Sequence, residues 1–283
     1  MVKTIRNIVI GTIIFIFIVL LALPKMLVSA GLHPDYKEEI FSLGDKRALI
    51  IATNHGVLSK PYESTGKATG LFLSELSVPY YRFTESGISV DIASIKGGVI
   101  PLEPLPYFVK TKEDKKFLKN KDLMMKLDNS LSIKNIDFDA YDIIFLSGGW
   151  GAAYDLGFSD LLGNKISTAY YSKKEPIIGG VCHGVLGLIK AKNKEGDLLI
   201  KGRKMTGVTD KQLKELGIFF TPQHPETELR KAGVAFKSQT KFKDIFANLT
   251  VVDDEKRFVT GQNQNAGHET SYTIMEILSK REY

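Results

Sequence analysis

Apolar residues fall along this chain in two patterns. The first is one uncharged run from Asn7 to Leu23, apolar on every side, preceded by Lys3 and Arg6 and closed by Pro24 and Lys25. The second begins at residue 47. From there, short blocks of aliphatic and β-branched residues alternate with longer stretches whose apolar positions recur at helical spacing. Arg47 to Asn54, Ile88 to Ala93, Asp142 to Leu146, Pro176 to Val181 and Phe258 to Asn263 read as strands, and Leu198 to Lys201 and Lys204 to Val208 as two more. The block from Ala48 to Ala52 is apolar throughout, as in a strand buried on both faces. Ala68 to Ser77, Lys110 to Asn129, Ser159 to Ser172, Val185 to Lys192, Lys211 to Leu216, Thr227 to Ala232 and Thr270 to Lys280 suit helices. This alternation predicts an α/β fold with a mostly parallel sheet covered on both faces. No repeat and no linker interrupts residues 47–283, which read as one domain. Residues 31–46 read as a short tether.

The N-terminal run changes the picture of where this domain resides. Its core, Ile8 to Leu23, is 16 residues long. A spanning helix needs about 20, and a signal-peptide core is shorter than this one. Residues 1–30 are therefore expected to form a single-pass transmembrane anchor. A cleaved signal is the alternative, with Val28-Ser29-Ala30 as its small-residue cleavage site. Lys3 and Arg6 before the run favour a cytoplasmic N-terminus and an extracytoplasmic body; cleavage would instead give an exported soluble protein.

Composition narrows the function. Hydrophobic residues make up 43% of the 283 and charged residues 25%, as in ordinary globular proteins. Of the net charge of +6, half sits in Lys3, Arg6 and Lys25; the remainder is nearly balanced and gives no nucleic-acid surface. The single cysteine, Cys182, excludes an intrachain disulfide and a Cys-rich zinc site. No pair of histidines has the spacing of a zinc motif, so no metal and no cofactor is expected.

Cys182 stands at the most informative point of the chain. The strand Pro176 to Val181 leads into it, Gly180 and Gly184 flank it, His183 follows it, and a helix-compatible run leads out. A nucleophile elbow has this layout, with the reactive group projecting from a sharp strand-to-helix turn. Amides and the positive end of the helix dipole there favour a thiolate, so a thiol pKa below the free value of about 8.5 is expected. The competing reading is a buried structural cysteine. His183 is the adjacent base and His55 the second choice; His33, His224 and His268 read as structural or solvated. Glu75 lies in an otherwise apolar helical stretch. It either faces the sheet, where it could share a proton with a thiolate, or marks an exposed helix face. Asp210 follows a strand and either orients His183 or only caps a helix. Ser147-Gly148-Gly149-Trp150-Gly151 is a glycine-rich turn suited to close backbone approach. In an open α/β sheet the loops at the carboxyl ends of the strands converge, which would bring the segment after Asn54, this turn and the Cys182 elbow together.

Five stretches in order resemble the ThiJ/PfpI family of the class I glutamine amidotransferase-like superfamily, in its chaperone and glyoxalase III branch. They are Thr69 to Glu75, Asp91 to Gly98, Ser147 to Gly151, Val181 to Gly184, and Thr260 to Asn263. The resemblance implies a flavodoxin-like sandwich, often dimeric, with Cys182 as nucleophile, His183 as its partner, Glu75 beside the sulfur and Asp210 as third member. It places Gly149, Trp150, Gly151 and Gly184 around an oxyanion and substrate pocket. It implies glutathione-independent conversion of methylglyoxal-type 2-oxoaldehydes to 2-hydroxy acids such as D-lactate. A chaperone or redox-stress role and a cysteine amidase or peptidase are the alternatives. Two positions depart from the family's usual pattern. Trp150 stands where relatives carry histidine, and Leu213 falls about where many carry the third-member glutamate.

Overall fold

The computed structural model describes residues 2–29, 40–106 and 109–281. Contacts divide the chain into residues 1–38 and 39–283. The first unit is helix α1 (Val2–Ser29), which continues through Pro24. Its stretch Val2–Leu23, 22 residues, is long and apolar enough to cross a membrane, and none of it is buried. His33 and most of the expected tether lie outside the described residues. The described part, residues 40–46, belongs to the body: Leu43 is buried and its N–H donates to Ser86 O at 2.9 Å.

In the second unit the strands follow in order as β1 (Arg47–Ala52), β2 (Val57–Leu58), β3 (Lys67–Ala68), β4 (Ser89–Ser94), β5 (Leu131–Ser132), β6 (Ile143–Leu146), β7 (Ile177–Val181), β8 (Lys204–Met205), β9 (Ala235–Phe236), β10 (Thr250–Val252) and β11 (Phe258–Gly261). Seven of them form one sheet in the order β10-β11-β7-β6-β1-β4-β5. All neighbours pair in parallel except the edge strand β10, which is antiparallel to β11. The helices are α2 (Ser74–Glu85), α3 (Lys112–Lys119), α4 (Lys121–Asp128), α5 (Ala152–Asp155), α6 (Asp160–Tyr170), α7 (Asp210–Glu215), α8 (Pro225–Lys231) and α9 (Gly267–Ser279). The expected flavodoxin-like sandwich is what the chain forms.

Strand alternation explains the two covered faces. Ala48, Ile50 and Ala52 of β1 join Phe145 of β6 and Val259 of β11 in a core with Phe83 of α2 and Ile274 of α9. Leu49 and Ile51 point the other way, into a second core with Ile144, Ile178, Leu162 and Ile166 of α6, and Leu229 of α8.

Several elements differ from expectation. Residues 68–73 are not helical; α2 begins at Ser74. Gly70 has φ +151° and Leu71 N–H donates to Pro101 O at 2.8 Å, so this segment runs extended into the site. Lys110 to Asn129 is two helices: Asn120 ends α3, and its side chain caps α4. Of the expected strand Leu198 to Lys201, Leu198 makes only an isolated antiparallel bridge with Lys192 and residues 199–201 form a turn. Only Lys204–Met205 of the next expected strand pairs, in a small sheet of its own with β9. The run after Cys182 is a 3₁₀ segment, Cys182–Leu188.

Candidate active site

The carboxyl ends of β1, β6 and β7 meet around Cys182. Its φ of +55° is the strained backbone of an elbow, and its side chain is 6% exposed. Glycines make the crowding possible. A Cβ on Gly148 would lie 2.8 Å from His183 N and 2.9 Å from Gly184 N, and one on Gly184 would lie 2.2 Å from Leu146 O. Gly149, at φ +95°, has Gly70 O and Phe72 N where its Cβ would stand. The extended segment before α2 therefore locks against the glycine turn, and α2 starts where Glu75 faces the elbow.

Glu75 is 1% exposed, which removes the exposed-helix alternative. Its Oε2 accepts from Gly148 N–H at 2.9 Å, and its backbone carbonyl accepts from Ser147 Oγ at 2.8 Å. Its carboxyl is coupled to the Cys182 sulfur, while Oε1 has no N–H or O–H partner among the described residues. Burial pushes this carboxyl up to about 8, against the pull of the sulfur and the Gly148 amide. At neutral pH Glu75 is therefore a protonated acid. Glu103, half-buried and bonded by Thr69 Oγ1 at 2.5 Å, adds a smaller push.

The thiol does not follow the sequence expectation. Burial raises it well above its ordinary value, and the Glu75 carboxylate adds to this, while the His183 and Gly149 amides pull the other way. Helix-end stabilisation loses to desolvation, because the turn is short 3₁₀ structure inside the core rather than the exposed end of a long helix.

His183 Nδ1 lies 3.4 Å from Cys182 Sγ, so the adjacent histidine does reach the sulfur. Its ring is 2% exposed, tilts against Trp150 at 4.9 Å, and is driven down to about 3 by burial and then by the charge of His224. The imidazole is neutral at rest. Nε2 is buried without a partner among the described residues, so Asp210 does not orient this ring by a hydrogen bond. Asp210 Oδ2 instead accepts from Thr227 Oγ1 at 2.7 Å. Its capping alternative fails too, because Thr209 caps α7.

The other expected residues divide. The Gly149 amide points at the sulfur, as an oxyanion donor must. Trp150 is half-buried and roofs His183. Gly151 is buried with its N–H donated to Gly70 O at 3.1 Å, so it supports the turn and has no donor to offer a substrate. Gly184 lets the elbow approach β6. His55 is committed elsewhere: Nε2 lies 2.5 Å from Val57 O and the ring stacks on Tyr154 at 4.2 Å. Leu213 is fully buried in the core, away from titration chemistry. Sequence reasoning passed over Glu103, which sits in a loop where no periodicity or motif marks it. Among the described residues, no three His, Cys, Asp or Glu side chains are arranged to hold a metal ion.

A cysteine at a strained strand end, with a buried acid against its sulfur and amides aimed at the same point, defines an α/β protein of the cysteine-elbow class. The chain belongs to the DJ-1/PfpI family, which matches residues 68–277. It is 30% identical to Glyoxalase 3 of Candida albicans over 81% of this chain and 97% of that protein. It is 26% identical to the glutathione-independent glyoxalase HSP31 of Saccharomyces cerevisiae, over 83% and 99%. Among solved structures, rapid encystment protein 24 kDa of Francisella tularensis superposes with a TM-score of 0.73 at 30% identity, covering 82% of this chain and 99% of that one. The Candida albicans glyoxalase III structure gives 0.72 at 26% identity, over 82% and 97%.

Proposed function

We propose that this chain is a cysteine-dependent, glutathione-independent glyoxalase that converts 2-oxoaldehydes to 2-hydroxy acids, with methylglyoxal to D-lactate as the test reaction. The observation that carries the reading is the protonated Glu75 carboxyl held against the Cys182 sulfur, because this chemistry needs an acid–base group beside a thiol. The names of the relatives support the same reaction class.

The residues divide the work as follows. Cys182 gives its proton to His183 Nδ1 and the sulfur adds to the aldehyde carbon. The resulting oxyanion is met by the Gly149 and His183 amides. Glu75 gives its proton to the C2 carbonyl oxygen and then, as the carboxylate, carries the C1 proton to C2, while the C1 oxyanion becomes the carbonyl of a thioester of the hydroxy acid. Water then adds to the acyl carbon and gives its second proton to Glu75, the C–S bond breaks, and the thiol regains the proton it gave to His183. No electron is gained or lost overall. Trp150 replaces a polar group with an indole over His183, which favours substrates with an apolar substituent on the ketone.

Incubating the purified chain with methylglyoxal and no glutathione tests this. D-lactate from the wild type and none from Cys182→Ser is the expected result. Hydrolysis of amide or peptide substrates without lactate would favour a cysteine hydrolase, and neither activity would favour a stress-protein role. We further read α1 as a membrane anchor. The support is its length, its apolar surface and the basic residues before it.

A further inference from the structure

The proton taken from Cys182 needs an exit, and His183 alone provides none. Nδ1 faces the sulfur, while Nε2, at the far end of the ring, is buried with no partner among the described residues. A buried imidazole holds a proton poorly. What it accepts at Nδ1 it must pass on.

The start of α8 brings a second imidazole to this region. The N-termini of α7 and α8 are fastened together: Asp210 N–H donates to Glu226 Oε2 at 2.9 Å, and Thr227 Oγ1 donates to Asp210 Oδ2. Pro225 packs at Gly207, where a Cβ would lie 3.2 Å from Pro225 Cβ and 3.3 Å from the Cys182 carbonyl. Gln223, two residues earlier, closes on Gly157 in the segment that follows Trp150. His224 stands between these two contacts. It is half-buried, tilts on Phe219 at 4.3 Å and makes no side-chain cap bond; its Nε2 is buried with no partner among the described residues.

We propose that His224 is a positioning residue that acts through His183, as the outlet of a two-imidazole relay between Cys182 and solvent. The proposal rests on the glyoxalase reading for its catalytic part. The thiol proton moves to His183 Nδ1, the proton on Nε2 leaves toward His224 Nε2, directly or across one water, and His224 gives one up to solvent from Nδ1. When the thioester is hydrolysed, hydroxide from water joins the acyl carbon, the sulfur takes the electron pair of the C–S bond, and the proton returns along the same line. Protons balance over the cycle and no oxidant or reductant is required. At the same helix start Glu226 of α8 accepts from the Asp210 N–H of α7, and Lys214 Nζ stands over the Phe219 ring at 5.1 Å.

His224→Ala and His224→Phe in the full chain test the relay. For His224→Ala we expect kcat on methylglyoxal to fall about tenfold to a hundredfold, with KM within about twofold. Added imidazole should restore turnover in His224→Ala and not in His224→Phe, whose ring fills the space. Exchange of the His183 Nε2 proton with solvent, followed in ¹⁵N-imidazole spectra, should slow at least tenfold in His224→Ala and recover with imidazole. Wild-type rates in both variants, or a loss that imidazole does not touch, would overturn the relay. A wild-type chain that forms no hydroxy acid would sink the glyoxalase reading instead. The exchange rate alone then decides the relay: slowed and imidazole-restored exchange upholds it, and unchanged exchange overturns it.

Discussion

At Cys182 and Glu75 two acids compete for a place where neither anion is welcome. Burial raises both, and the Glu75 charge raises the thiol further, while the sulfur pulls the carboxyl back down. The thiol is thus expected to titrate above the free value of about 8.5, and iodoacetamide alkylation followed across pH should give a midpoint in that range. Glu75→Gln removes the carboxylate whose charge opposes the thiolate. It should lower that midpoint while cutting turnover roughly a hundredfold or more, because the proton carrier is gone. Stability tests the same pair in the absence of substrate. A carboxyl at about 8 in the folded chain and 4.5 outside it penalises folding as it ionises. Wild-type stability should therefore fall as pH rises from the lower value through the higher one. In Glu75→Gln this decline should be smaller by about a few kcal/mol, measured by urea titration at pH 5 and pH 9.

At the scale of elements, the site depends on what grips the loops at the strand ends. Asn54 ties the end of β1 to the loop after β4: its Nδ2 donates to Gly97 O at 3.1 Å and Val99 O at 3.0 Å, and its Oδ1 accepts from Lys96 N–H at 2.8 Å. Asp155 in α5 accepts from Thr53 Oγ1 at 2.9 Å and Asn54 N–H at 2.8 Å. Beyond β11, buried Asn263 donates to Ala247 O at 2.5 Å and Asp244 O at 3.1 Å and accepts from Asn265 N–H at 3.0 Å. Asn263→Ala leaves those buried groups unpaired and should cost about 2–4 kcal/mol in urea unfolding, with Cys182 chemistry affected only through stability. Gly149→Ala should do more damage locally. A methyl there meets Gly70 O and Phe72 N at 2.3 Å each. The contact between the glycine turn and the Glu75 segment must then open, and turnover should fall even where the fold survives.

At the scale of the whole molecule, the catalytic body and α1 make separate demands. The helical stretch Val2–Leu23, 22 residues, reaches about 33 Å at 1.5 Å per residue, enough for a hydrocarbon core of about 30 Å. The full chain is expected to sediment with membranes and to resist carbonate extraction. A chain starting at residue 40 should stay soluble and keep wild-type kcat, since the seven-stranded sheet and both of its cores lie wholly within residues 40–283. Native protein that begins at Gly31 would instead mark α1 as a cleaved signal. Protease digestion of intact cells reports the side: loss of the body without permeabilisation is expected from Lys3 and Arg6 before the apolar run.

Patterns within a few residues were enough to establish the parallel sheet, the apolar N-terminal helix, the elbow at Cys182 and, through the order of five motifs, the family. These are local properties: alternation along a strand, glycines where the backbone turns, an uninterrupted apolar run. What residues far apart do to one another was decided only in three dimensions. Gly70 at +151° delayed the start of α2 and aimed Glu75 at the sulfur. Burial reversed the expected direction of the thiol, because desolvation depends on every group packed around the turn and not on the turn itself. Asp210 bonded Thr227 rather than His183. The edge strand β10 and the short strand β5 also escaped notice, since three- and two-residue strands carry too little alternation to be seen without their partners.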